Sequence, residues 1–192
     1  MRNTGGLIMK IMHVLILMVL LAAGASAKTE EVSVGPYNVS FDLNTTMEYS
    51  VSSNWDDANT TSSLNIKFAN DTQAAIAVIN QTVWECADLS QDLRYLNLAL
   101  NYEKAIGTIM DGNLSESIID GKPGLVAIET YEKDGKAFNQ TIAKYWLDSK
   151  EIENYNISVG MTKIEILANI PMNLSEMNLS ENLLNTIQVR MI

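Results

Sequence analysis

Apolar and polar residues alternate with period two along much of the chain. Tyr37, Val39, Phe41 and Leu43 interleave with Asn38, Ser40 and Asp42, which predicts a half-buried strand with a wet outer face. Met47-Tyr49-Val51, Leu64-Ile66-Phe68 and Ala74–Ile79 predict further strands, separated by stretches rich in Asn, Asp, Ser and Thr. Between about Ala87 and Ala105 the period changes. Leu89, Leu93, Leu96 and Leu100 recur at three- and four-residue spacing, the mark of an amphipathic helix. Strands resume at about Ser115–Ile119, Leu125–Tyr131, Ala137–Leu147 and Gly160–Ile170, with tight turns at Asp120-Gly-Lys-Pro-Gly124 and Lys133-Asp-Gly-Lys136. A last helix is expected from Ser175 or Leu179 to Val189, with Leu179, Leu183, Leu184 and Ile187 on one stripe. Runs of strands with two separate helices predict an α+β domain, an antiparallel sheet flanked by two helices. No internal repeat and no linker divides it.

Residues 1–27 have the form of a signal peptide. Arg2 and Lys10 precede the apolar run Ile11–Ala23, and Ala25-Ser26-Ala27 is a small-x-small cleavage site, so one α+β domain from Lys28 to Ile192 is expected after export. The apolar run falls short of the roughly 20 residues of a spanning helix, leaving an uncleaved signal segment as the only expected membrane attachment.

Ten asparagines lie in Asn-x-Ser/Thr with x never proline: Asn38, Asn44, Asn59, Asn70, Asn80, Asn113, Asn139, Asn156, Asn173 and Asn178. Chance would give about three, so the excess points to a chain carrying N-linked sugar outside the cytoplasm. Asn113, Asn173 and Asn178 share Asn-Leu-Ser-Glu, which also reads as a helix-capping arrangement. No such alternative serves Asn38, Asn139 or Asn156, in or beside predicted strands.

The formal charge of -10 becomes -10 - 2 = -12 once Arg2 and Lys10 are removed. Such a surface repels nucleic acid and offers no polybasic patch to anionic lipid. The only histidine, His13, lies in the signal segment, so a mature chain has no Ser-His-Asp or Cys-His pair. Cys86 is the only cysteine, and the neighbouring Val83 and Trp84 predict that it is buried. Carboxylate chemistry remains formally open, but pairs such as Asp56-Asp57 or Glu151/Glu153 arise by accident among 23 acidic residues. Asp111-Gly-Asn113-Leu-Ser115 opens like a calcium loop, then fails at Glu116, where glycine is needed, and at Lys122, where glutamate is needed. Asn54-Trp-Asp-Asp57 reads as a solvated loop, Trp55 as its anchor, and Trp84 and Trp146 as core. No catalytic residue, metal site or cofactor is therefore expected.

The segments Tyr37–Leu43, Ile118–Gly124 and Leu183–Val189 resemble those of the PsbP/DcrB-like secreted α/β superfamily. That resemblance implies an exported, mostly non-enzymatic domain with helices flanking a sheet. The crowding of sequons is similar in style to methanogenic archaeal envelope glycoproteins. Together these readings predict a non-catalytic cell-envelope or extracellular domain acting on envelope components or another protein. The alternative is an extracytoplasmic ligand binder or carboxylate-based hydrolase. The helix around Leu89, Leu93 and Leu96 is the longest sequon-free stretch, and its outer face is where a protein partner is expected.

Overall fold

The computed structural model describes residues 28–56, 60–69, 72–155, 157–172 and 178–192. The signal segment and Asn59, Asn70, Asn156 and Asn173 lie outside them, as do Asp57 and Ser175.

Strands, not helices, make both layers of the core. The large antiparallel sheet has the order β3 (Tyr49–Asp56), β4 (Thr61–Phe68), β5 (Gln73–Cys86), β10 (Ile157–Pro171), β8 (Lys136–Trp146), β7 (Lys122–Lys133) and β6 (Asp111–Ile119). Short β9 (Lys150–Ile152) adds to the start of β10. A second sheet, β1 (Lys28–Val34), β2 (Tyr37–Leu43) and β11 (Gln188–Met191), lies across one face. The alternation in β2 turns Tyr37, Val39, Phe41 and Leu43 inward onto Leu64, Ile66, Ile76, Ile164 and Ile166 of the large sheet. Each such fully buried side chain contributes roughly 1.5–3 kcal/mol. Of the two α-helices among the described residues, α1 (Leu89–Ala105) rests on the opposite face over β6 and β7. The other, α2 (Leu179–Thr186), closes the core beside β2 with Leu179 and Leu183.

The expected sheet flanked by two helices is thus overturned: this is a mostly β protein in which a second sheet covers the first. Two segments account for the difference. β1 is charged (Lys-Thr-Glu-Glu) and has no strand pattern of its own, yet it pairs residue for residue with β2. β11 was expected to continue the last helix. The helix ends at Ile187, whose ψ of 135° turns the chain outward, and Gln188–Met191 pair with Tyr37–Ser40. A strand's partner, more than its own propensity, decides whether it forms. The remaining predicted strands are present, most of them longer than expected.

Both Asp-Gly turns are two-residue hairpin loops. Asp120-Gly121 and Asp134-Gly135 have φ of +51°, +71°, +54° and +74°, the left-handed values a type I′ turn needs. At the first of them the Asp120 side chain, 1% exposed, points inward and joins the two layers. It accepts hydrogen bonds from the Val189 backbone N–H (3.1 Å), from Arg190 Nη1 (2.9 and 3.0 Å) and from the Tyr145 hydroxyl (3.4 Å). Burial, with Asp120 beside it, pushes the Tyr145 hydroxyl far above its usual range, so it remains a donor.

Cys86 is exposed, as are Val83 and Trp84, contrary to the expectation of a buried cluster. They occupy the far end of β5, where apolar neighbours in sequence find no covering layer. Trp84 instead holds the Lys150 ammonium 4.3 Å from its ring centroid. Trp146 is core, as expected. Asn54–Asp56 are the end of β3, paired with Thr61–Ser63, and not a solvated loop; Trp55 there packs against Gly35, where a Cβ would come within 2.5 Å of its ring.

Asp120→Asn should lower unfolding free energy by about 1–3 kcal/mol, because it weakens charge-assisted bonds at a buried group. Urea denaturation with Arg190→Gln and the double variant measures it; additive losses would show that the pair does not act as one latch.

Candidate interaction surface

α1 is capped at both ends by local chemistry. Asp88 accepts from the Ser90 backbone N–H (2.9 Å), and the hydrogen bonds from Ser90 hold its carboxyl below the usual range. At the C-terminal end Lys104 reaches Asp111 (2.9 Å) and the Gly112 carbonyl (2.8 Å). The Lys104 ammonium likewise keeps Asp111 ionised to lower pH. Asp111 therefore ties the helix to β6, and the calcium-like segment it opens is a strand with no loop geometry. No cluster of three or more metal-ligating side chains occurs among the described residues.

The helix sits lightly on the sheet. Of the leucines expected to face inward, Leu100 is buried, against Ile109 and Ala127, while Leu89, Leu93 and Leu96 are half-buried. An Asp92–Lys144 ion pair (2.8 Å) adds a second tether, to β8. The opposite face carries a second apolar stripe: Tyr95, Leu98, Tyr102 and Ile106, which are 65%, 67%, 65% and 56% exposed. Their spacing of three, four and four places them on one side of the helix. The four-residue rhythm in the sequence defines two faces, the leucine face that packs on the sheet and the outer face where a partner is expected. Beside the helix a trough of about 400 Å³, floored by Ala75, Ala77, Leu96, Ile142 and Leu167, extends this apolar surface across the sheet.

Pairing register shows where the sequons stand relative to this face. Asn113 opposes Ile128, Asn139 opposes Thr130 and Ile170, and Asn80 shares the side of Ile76 and Val78. All three belong to the side of the large sheet that faces away from α1. Asn38 is on the outer side of the small sheet, its amide Nδ2 donating to Glu31; Asn44 is exposed after β2; Asn178 is exposed before α2. None of the six described sequons is on the α1 face. The capping alternative fails where it can be checked: Asn113 lies within a strand, and the Asn178 side chain makes no cap bond.

Glu151 and Glu153 are exposed on and after β9, and the buried Asp120 is bound by Arg190. Glu129, beneath α1, is buried at 8% exposure. Burial, then the nearby Glu103 charge, raises its pKa.

Neither a protein-family model, PsbP-like or other, nor a curated protein matches the chain. A solved structure similar to it is LpqN of Mycobacterium tuberculosis, a protein involved in cell envelope biogenesis. The two share 10% identity over 86% of this chain and 84% of LpqN, with a TM-score of 0.42. The segments Tyr37–Leu43, Ile118–Gly124 and Leu183–Val189 fall on β2, the β6–β7 turn and the α2–β11 junction; the last two meet at Asp120, and β2 pairs with β11.

Two measurements check the assignment of faces. Leu98→Gln should change unfolding free energy by less than about 0.5 kcal/mol, whereas Leu100→Ala should cost about 2–4 kcal/mol; equal losses would mean that the outer stripe is packed. Because the folded pKa of Glu129 is raised, its contribution is fully present below the unfolded value near 4.5 and lost as pH rises through the folded value. Glu129→Gln should therefore be more stable than the native chain at pH 7, with the gain shrinking as pH falls below 4.5. Urea denaturation at pH 4 and 7 would show it, and a loss of stability at pH 7 would contradict it.

Proposed function

We propose that the chain is an exported, N-glycosylated, non-catalytic domain of the cell envelope or its exterior, acting through surface interaction. The supporting observation is segregation. Described acceptor sites lie on the small-sheet side and the connections around it, while the α1 side combines an exposed Tyr-Leu-Tyr-Ile stripe with an apolar trough and carries none. Sugar on the first side would keep it soluble and leave the second free for an envelope component or protein partner. Kinship to the PsbP/DcrB-like group and a methanogenic archaeal origin belong to the same proposal, supported by short segments and sequon crowding alone.

Peptide mass mapping of the protein purified from its native host tests the first half. Sugar is expected at several sites, Asn44 and Asn113 among them; a mass equal to the bare chain from Lys28 would sink it. For the second half, the native chain should fractionate with the envelope, and Leu98→Gln with Tyr102→Gln should release it without changing its stability. Unchanged fractionation would rule out the α1 face as the point of attachment.

A further inference from the structure

A groove of about 510 Å³ opens on the side opposite α1, between α2 and the run of strands β10-β8-β7-β6. Its floor is apolar: Val126, Ile128 and Leu184 line it, and Ile128 is 47% exposed there although it lies within a sheet. Hydroxyls surround that floor, from Ser117 on β6, Thr141 on β8 and Ser180 on α2. Thr141 and Ser180 are 5% and 9% exposed, and both line the groove. A ligand that displaces water from hydroxyls lining a groove has to supply polar partners in its place. Amides complete the rim. Asn139 accepts from the Thr130 hydroxyl (3.0 Å), which leaves its Nδ2 as the free end, and Asn185 projects from α2.

Among the described residues the lining contains no lysine, arginine or histidine, and Glu181 is its one charge. A phosphate or carboxylate would find nothing to neutralise it. A wholly apolar ligand would leave the hydroxyls and amides unsatisfied. A pyranose matches both parts of the lining, since its C–H face is apolar and its edge offers hydroxyls that donate and accept. The volume lies within the range of small-molecule sites.

We infer that this groove binds a neutral sugar of one or two rings. The residues also bear on the sequons: Asn139 with Thr141, and Asn178 with Ser180, are two Asn-x-Ser/Thr motifs whose side chains line one groove. In a strand, positions i and i+2 share a face, so the Asn139–Thr141 motif delivers an amide and a hydroxyl side by side. Two sources supply the same chemistry: a glycan attached to this chain at Asn139 or Asn178, or a neutral glycan of the envelope. The site is distinct from the α1 face, and sugar binding by the bare chain does not require that the chain be glycosylated.

The full chain, made in a host without N-glycosylation, is titrated with maltose and with N,N′-diacetylchitobiose, and with glucose 6-phosphate as the anionic counterpart, while amide NMR shifts are followed. Saturable shifts around Ser117, Asn139, Thr141 and Asn185 are expected with a neutral sugar. Ile128→Trp, which fills the groove and leaves all ten sequons intact, should weaken binding about tenfold or more. Ser117→Ala with Asn185→Ala, a milder change that also spares the sequons, should weaken it severalfold. No saturable shift with either neutral sugar, equal binding by folded Ile128→Trp, or tighter binding of glucose 6-phosphate would overturn the inference. Protein from the native host separates the sources. If its own glycan fills the groove, free sugar binds only after Asn139→Gln or Asn178→Gln; if the ligand is external, the native protein binds sugar as the bare chain does.

Discussion

A sheet of eight strands has two broad faces, and the structure depends on how the first of them is kept from water. The strands β4, β5, β10 and β8 commit Leu64, Ile66, Ile76, Ile164 and Ile166 to one side, too much apolar area for an eight-residue helix to cover. The small sheet covers it, and β2 is the centre of that sheet because it has a partner on each edge, β1 and β11. Those partners come from opposite ends of the described chain. The domain therefore closes only when its last strand reaches its second, and Asp120 holds it there by accepting from both the backbone and the guanidinium of β11.

The two faces of the large sheet have different chemistry as a consequence. On the inner side α2 packs beside β2 and leaves a groove between itself and the run of strands β10-β8-β7-β6. There the floor stays apolar and the rim is hydroxyl and amide. On the outer side a single helix covers one corner, tethered by two ion pairs and one buried leucine. The helix carries a second apolar stripe that the fold does not use. Sequons on one side and bare hydrophobic side chains on the other give the molecule a polarity that neither property shows alone.

Much of the local structure was legible in the residues. Strict alternation identified β2 and β4, Asp-Gly pairs identified both hairpins, and a four-residue rhythm identified α1, because these signals depend on neighbours along the chain. The errors share a cause. β1 is written in charged residues, β11 follows a helix without a break, and Cys86 lies among apolar neighbours that end up beyond the reach of any other layer. Each was settled by what lay across from it. The candidate surface was half legible: α1 was identified as the sequon-free element and its outer face as the place for a partner, but the residues of that face, Tyr95, Leu98, Tyr102 and Ile106, stand out only once their exposure is known.

The amino-acid pattern by itself determined that the chain would be rich in antiparallel strands, that it offers acceptor motifs in excess of chance, and that histidine chemistry is missing from Lys28 onward. These are properties of composition and of spacing over a few residues. Tertiary structure decided which layer covers the core, that six acceptor motifs avoid the α1 face, and that motifs from β8 and α2 border one groove. The reason is physical. Register and sheet order turn a period of two into a choice of side, and the relation between sides exists only once distant strands have paired.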